Sequence, residues 1–170
     1  MALAGQLRHR VVAIAPERAS RSARLAPTPL SLVDSAPIPV ATDFVCPIAG
    51  PVAFTDTWGA PRGGGRRHEG TDLMSPFGTP NVAVVSGPFK RHHSGAGGLG
   101  VYLHGDDGNT YYYAHLSEVV GPDRRVAQGE VIAKTGNSGN ARGGMPHTHF
   151  EFHPRGGPAV NSYPLVKAHC

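Results

Sequence analysis

A chain of 170 residues allows one ordinary domain with room for a flexible tail. Its 39% hydrophobic and only 16% charged residues, with 23 glycines and 16 prolines, argue against a helical bundle, because Gly and Pro punctuate turns and break helices. The net charge of +4 favours anionic partners, yet no nucleic-acid-binding motif accompanies it and no apolar run approaches the ~18 residues of a membrane span.

In chain order, residues 1–42 carry Arg8, Arg10, Arg18, Arg21 and Arg24 among five prolines, and no aromatic residue precedes Phe44. Such a segment buries too little apolar surface to offset its ordering entropy, so it reads as a disordered basic leader or linker. Its longest apolar run, Val11–Ala15, is shorter than the ~7–15 residues of a signal-peptide core, so export is not legible here. The folded domain is expected over 43–170. The triple glycine Gly63–Gly65 is loop, and Val82–Val85 reads as a short buried strand. Gly95–Gly98 is a turn. Gly100–His104 and Thr110–Ala114 read as two strands joined through Asp106–Asn109, with Asp-Gly at the centre of the turn. The second strand delivers His115 at its end, on the face of Tyr111 and Tyr113. Short strand pieces follow over 126–135, then a glycine-rich loop over 136–144, and Asn161–Pro164 closes the domain. Strands at short spacing without a long amphipathic helix predict a mainly β, mostly antiparallel fold. Cys46 and Cys170 form no CxxC pair, which argues against a thiolate metal site and leaves a disulfide open.

The stretch Met145–His153 organises the chemistry. At period two, His147, His149, Glu151 and His153 share one face, and Thr148, Phe150 and Phe152 the other. Three imidazoles and a carboxylate are costly to bury unless something binds them, and neutral imidazole is the commonest metal ligand among side chains. His68 and Asp72 stand four apart. His68-Glu69 also imitates a helical HExxH site with Glu69 as base, but Gly70, the preceding glycines and Pro76 leave no room for that helix. A turn converging both side chains is the better reading. Three protein ligands leave a position open for chemistry, whereas four, with His147 added, close it; spacing alone does not choose.

Taken together and in order, His68-Glu-Gly-Thr-Asp72, Gly78-Thr-Pro80, Tyr113-Ala-His-Leu-Ser117, Gly129-Glu-Val-Ile132, Thr135-Gly-Asn-Ser-Gly139 and His147-Thr-His-Phe-Glu151 resemble the M23 family of zinc metallopeptidases, the lysostaphin-like, LytM-type endopeptidases of bacterial cell walls. The resemblance spans roughly residues 44–165. It implies that His68, Asp72 and His149 hold one Zn2+, that His115 and His147 are the catalytic histidines, and that the fold is an antiparallel LytM-type β domain. Glu151 is expected to orient one of the strand histidines. The implied partner is peptidoglycan peptide and the implied location is outside the cytoplasm, in the wall or periplasm. Glycine loops 63–65, 95–98 and 136–144 would wall a narrow groove. Two competing functions remain: a non-catalytic wall-binding or regulatory module on the same fold, and a closed four-ligand structural site.

Other features receive modest readings. Trp58 is expected to pack, His92 and His93 to lie on the surface, and His104, His153 and His169 to have no role. Three departures stand out. Ser162 replaces a proline of the closing segment, Asn81 replaces an apolar strand residue, and no export signal is apparent.

Overall fold

The computed structural model describes residues 44–170, so the expected leader over 1–42 lies outside the described residues. Nine strands form: β1 (Thr71–Met74), β2 (Pro80–Val82), β3 (Gly87–Ser94), β4 (Gly98–His104), β5 (Thr110–Ala114), β6 (Glu118–Val119), β7 (Arg124–Val126), β8 (Val131–Lys134) and β9 (His147–His153). One α-helix, α1 (Tyr163–His169), follows them. Six strands make a sheet in the order β1-β9-β5-β4-β3-β7, three make a second in the order β2-β8-β6, and every pairing is antiparallel. No helix among the described residues is long and apolar enough to cross a membrane.

The alternation of β9 decides the layering. Thr148, Phe150 and Phe152 are buried, while His147, His149, Glu151 and His153 are half-buried on the opposite face. Phe150 and Phe152 meet Tyr113 and Tyr111 of β5 at ring-centroid distances of 5.2 and 5.5 Å. Both tyrosines are fully buried, so each hydroxyl needs a partner. Tyr111 donates to Oδ2 of Asp107 at 2.6 Å, and Tyr113 donates to the Val82 carbonyl at 3.0 Å. Tyr113 thereby ties the large sheet to the segment leading out of β2.

That segment departs from the expected strand. Only Val82 belongs to β2; Ala83, Val84 and Val85 are buried but irregular. Two of their amides are answered elsewhere: Ala83 donates to the Glu130 carbonyl and Val84 to the Tyr113 hydroxyl. Apolarity put these residues inside, but no neighbouring strand completes a ladder for them. Asn81 is also buried, in a polar cluster where its amide donates to Oγ1 of Thr135 at 3.0 Å. Asn161–Pro164 does not end the domain, because α1 continues from Tyr163 and buries Leu165 and Val166. Ser162 is fully buried just before it and donates to the Phe150 carbonyl at 3.1 Å, a bond proline could not make. A disulfide joins Cys46 to Cys170, with Cα atoms 4.9 Å apart across 124 residues of sequence.

Candidate metal centre

Strand pairing brings the first members of the site together. Asp72 of β1 lies opposite His149 of β9, and Ala114 of β5 lies on the other side of His149. His68 precedes β1 on an irregular segment rather than a helix, which agrees with rejecting the HExxH pattern; Glu69 is exposed. Its anchor is the Thr57–Gly59 turn, where Gly59 donates to the His68 carbonyl at 2.8 Å. The result is a triangle of three donor atoms. Nε2 of His68, Nδ1 of His149 and Oδ1 of Asp72 lie 3.0 Å from one another on each side.

Proton placement makes this triangle unusual. Nδ1 of His68 lies 3.0 Å from the Thr57 carbonyl, which can only accept, so that nitrogen carries the proton. Nε2 of His149 lies 2.9 Å from Oε1 of Glu151, so it too is the protonated nitrogen. Two imidazole lone pairs and a carboxylate oxygen therefore converge on one point. Without a cation they repel, and leaving such groups unpaired while half-buried is costly. A proton on His149 is one remedy: burial opposes the charge, but hydrogen bonds with Asp72 and Glu151 outweigh it and raise this imidazole to about 9. Burial likewise opposes ionisation of Asp72, yet hydrogen bonds from His149 and His68 hold its carboxyl far below the usual range. A divalent cation is the other remedy. Two imidazoles and one carboxylate are a donor set of catalytic zinc sites, and the 3.0 Å edges approach the ~3.3–3.6 Å edges of a tetrahedron with bonds of ~2.0–2.2 Å.

His147 does not join the triangle. Its Nε2 stands 3.9 Å from Oδ1 of Asp72, and the donor atoms that cluster are those of His68, Asp72 and His149. Its Nδ1 donates to the Met145 carbonyl at 2.9 Å, leaving Nε2 as the free nitrogen. His115 repeats the pattern: Nδ1 donates to the Ser138 carbonyl at 2.9 Å. Its ring lies 4.9 Å from that of His147 and 5.9 Å from that of His149. Burial and the neighbouring His147 lower its pKa to about 4. The expectation that His115 shares the face of Tyr111 and Tyr113 is wrong. Its φ of 62° breaks the alternation at the strand end and turns the ring to the opposite face.

Several side chains that hold this arrangement carried no role in the sequence. Ser138 fixes His115 through its carbonyl, and its hydroxyl donates to the Leu116 carbonyl at 2.8 Å while accepting from the Leu99 amide at 3.0 Å. The loops expected to wall a groove therefore also clasp each other, since Asn140 donates to the Ala96 carbonyl at 2.9 Å. The nearest sequence signal was the Thr135–Gly139 segment, which was legible as a block but not as a contact. His153 has both nitrogens on acceptors, Oε2 of Glu151 at 2.7 Å and the Gly157 carbonyl at 2.9 Å. The Glu151 hydrogen bond raises its pKa, while hydrogen bonds from His149 and His153 overcome burial and lower Glu151 to about 2. Trp58 is exposed rather than packed, and of the His92–His93 pair only His93 is exposed. His92 rests against Tyr102 at 5.0 Å. His104 and His169 stand away from the centre.

Residues 66–162 match the model of peptidase family M23, a span that contains His68, Asp72, His115, His147, His149 and Glu151. The chain belongs to peptidase family M23. It is 40% identical over 96 residues to the peptidoglycan DD-endopeptidase ShyA of Vibrio cholerae, covering 54% of this chain and 21% of that one. It is 31% identical over 147 residues to the L-Ala–D-Glu endopeptidase of Bacillus subtilis, covering 78% of this chain and 42% of that one. The matched region thus spans 21% and 42% of the length of these two curated relatives. The catalytic domain of lysostaphin from Staphylococcus simulans matches it with a TM-score of 0.59 and 28% identity, over 68% of this chain and 92% of that domain. The expected lysostaphin-like, antiparallel β fold of this M23 member is therefore the observed one.

Proposed function

We propose that this M23 chain is a zinc-dependent endopeptidase that hydrolyses peptide cross-links of bacterial peptidoglycan. The observation that carries the reading is the convergence of His68, Asp72 and His149 on one point with their protons directed away from it. When bound there, Zn2+ would supply Lewis-acid polarisation and bring the pKa of a water from ~15.7 to ~7. The His115 ring lies beside those of His147 and His149, and in both His115 and His147 Nδ1 is tied to a backbone carbonyl, which leaves Nε2 to accept. Such a nitrogen can take the proton of the attacking water and return it to the departing amine. The second imidazole, accepting through its Nε2, can hold the attacking water in place. Glu151 keeps the His149 ring oriented.

The net charge of +4 suits an anionic wall. The disulfide fits an oxidising compartment, as expected for an enzyme acting outside the cytoplasm. Domain limits of 43–170, one ion per chain and a groove walled by the glycine loops belong to the same proposal. The relatives differ in the bond their names specify, and the choice for this chain calls for digestion of defined muropeptides with mass analysis of the products. Wild type should release peptide fragments, and His149→Ala should lose zinc and release none. Zinc bound without any cleavage would favour the non-catalytic module instead, and a His149→Ala variant as active as wild type would end the ligand assignment.

A further inference from the structure

The carboxylate of Asp72 is divided between two tasks. Oδ1 faces His68 and His149, while Oδ2 accepts a hydrogen bond from Nη2 of Arg62 at 2.6 Å. Among the described residues this is the only hydrogen bond the Arg62 side chain makes. Arg62 is itself built into place. Its amide donates to the Arg66 carbonyl at 2.9 Å, closing a tight loop over the triple glycine, and Pro61 bridges to Arg67 directly before His68. It lies outside the residues that match the family model, which begin at position 66.

A carboxylate offers about four acceptor sites on two oxygens and can present one or both to a cation. In Asp72 one of the two oxygens, Oδ2, is engaged by the charge-assisted bond from Arg62. The Arg62 side chain is 38% exposed, and ion pairs that exposed add little to fold stability, so the pair is not explained by holding the fold together. We propose that Arg62 is a positioning residue: it restricts Asp72 to a single inward oxygen and so sets the coordination number and affinity of the ion. This rests on the reading that a divalent ion sits among His68, Asp72 and His149.

The test replaces zinc with Co2+ in the purified chain and compares wild type, Arg62→Met and Arg62→Lys. Four-coordinate cobalt absorbs strongly in the visible range, and absorption weakens as coordination rises to five. Wild type should show the strong spectrum. Arg62→Met should show the weakened one, with zinc affinity down about 10–100-fold by chelator competition, the scale for loss of a ligand's outer partner. Arg62→Lys keeps a charged donor and should recover most of the spectrum. Equal urea midpoints for the three proteins would show that the fold is unchanged. A wild-type spectrum in Arg62→Met would overturn the proposal. Failure of wild type to bind either ion would instead overturn the reading of the centre itself.

Discussion

Each imidazole of the centre has one nitrogen committed to an acceptor outside it, and this is what gives the residues separable roles. On the proposed function, His115→Ala and His147→Ala remove a proton carrier and leave the triangle of donors in place. Hydrolysis of muropeptides should fall about 10²–10⁴-fold in each while zinc content stays at one per chain, measured by metal analysis beside the rate. Glu151→Gln leaves all three donor atoms but removes the carboxylate that aligns His149. Zinc affinity should drop about 10–100-fold in a chelator titration. At this scale the sequence was informative about which side chains meet and poor about how they are aimed. His68, Asp72, His115, His147 and His149 were all legible, from a period-two strand and ordered motif blocks. The direction of His115 was not, because alternation assumes extended backbone and residue 115 has a positive φ. Thr57, Arg62 and Ser138 escaped because each acts from a loop, through contacts no spacing encodes.

Among elements, β9 was the most readable, since its alternation is strict and its two faces differ fully in polarity. Strands β4 and β5 were readable from their aromatics and the Asp-Gly turn between them. Strand β3 went unassigned because Gly87-Pro88 and the run Lys90–His93 hide its period, with Phe89 the lone large apolar residue. Helix α1 was missed because seven residues are too few to show a helical stripe. The β1–β9 pair depends on a close approach at Gly70, where an added Cβ would lie 2.5 Å from the Phe150 carbonyl oxygen and 2.8 Å from Cε1 of His149. Gly70→Ala should therefore push the two strands apart at the centre. The expected result is a stability loss of about 1–3 kcal/mol in urea unfolding, the usual scale for overpacking, with weakened zinc binding.

At the scale of the whole domain, the disulfide is the longest-range link among the described residues. It closes a loop of 124 residues of separation, for which chain entropy alone gives up to about 5 kcal/mol of stabilisation. Reduction, or Cys170→Ser, should lower the urea midpoint by about 2–5 kcal/mol equivalent, with the loss confined to stability if the centre still binds zinc. The sequence left this pairing open because two cysteines at opposite ends carry no local pattern. The converging lone pairs of His68 and His149 carry a further thermodynamic consequence. Mutual repulsion within the triangle is present only when the chain is folded, so stripping metal with a chelator should depress the melting temperature. On the proposed zinc reading, titrating the ion back to about a hundredfold above its dissociation constant should restore about 2.7 kcal/mol, which would make folding and ion uptake linked equilibria.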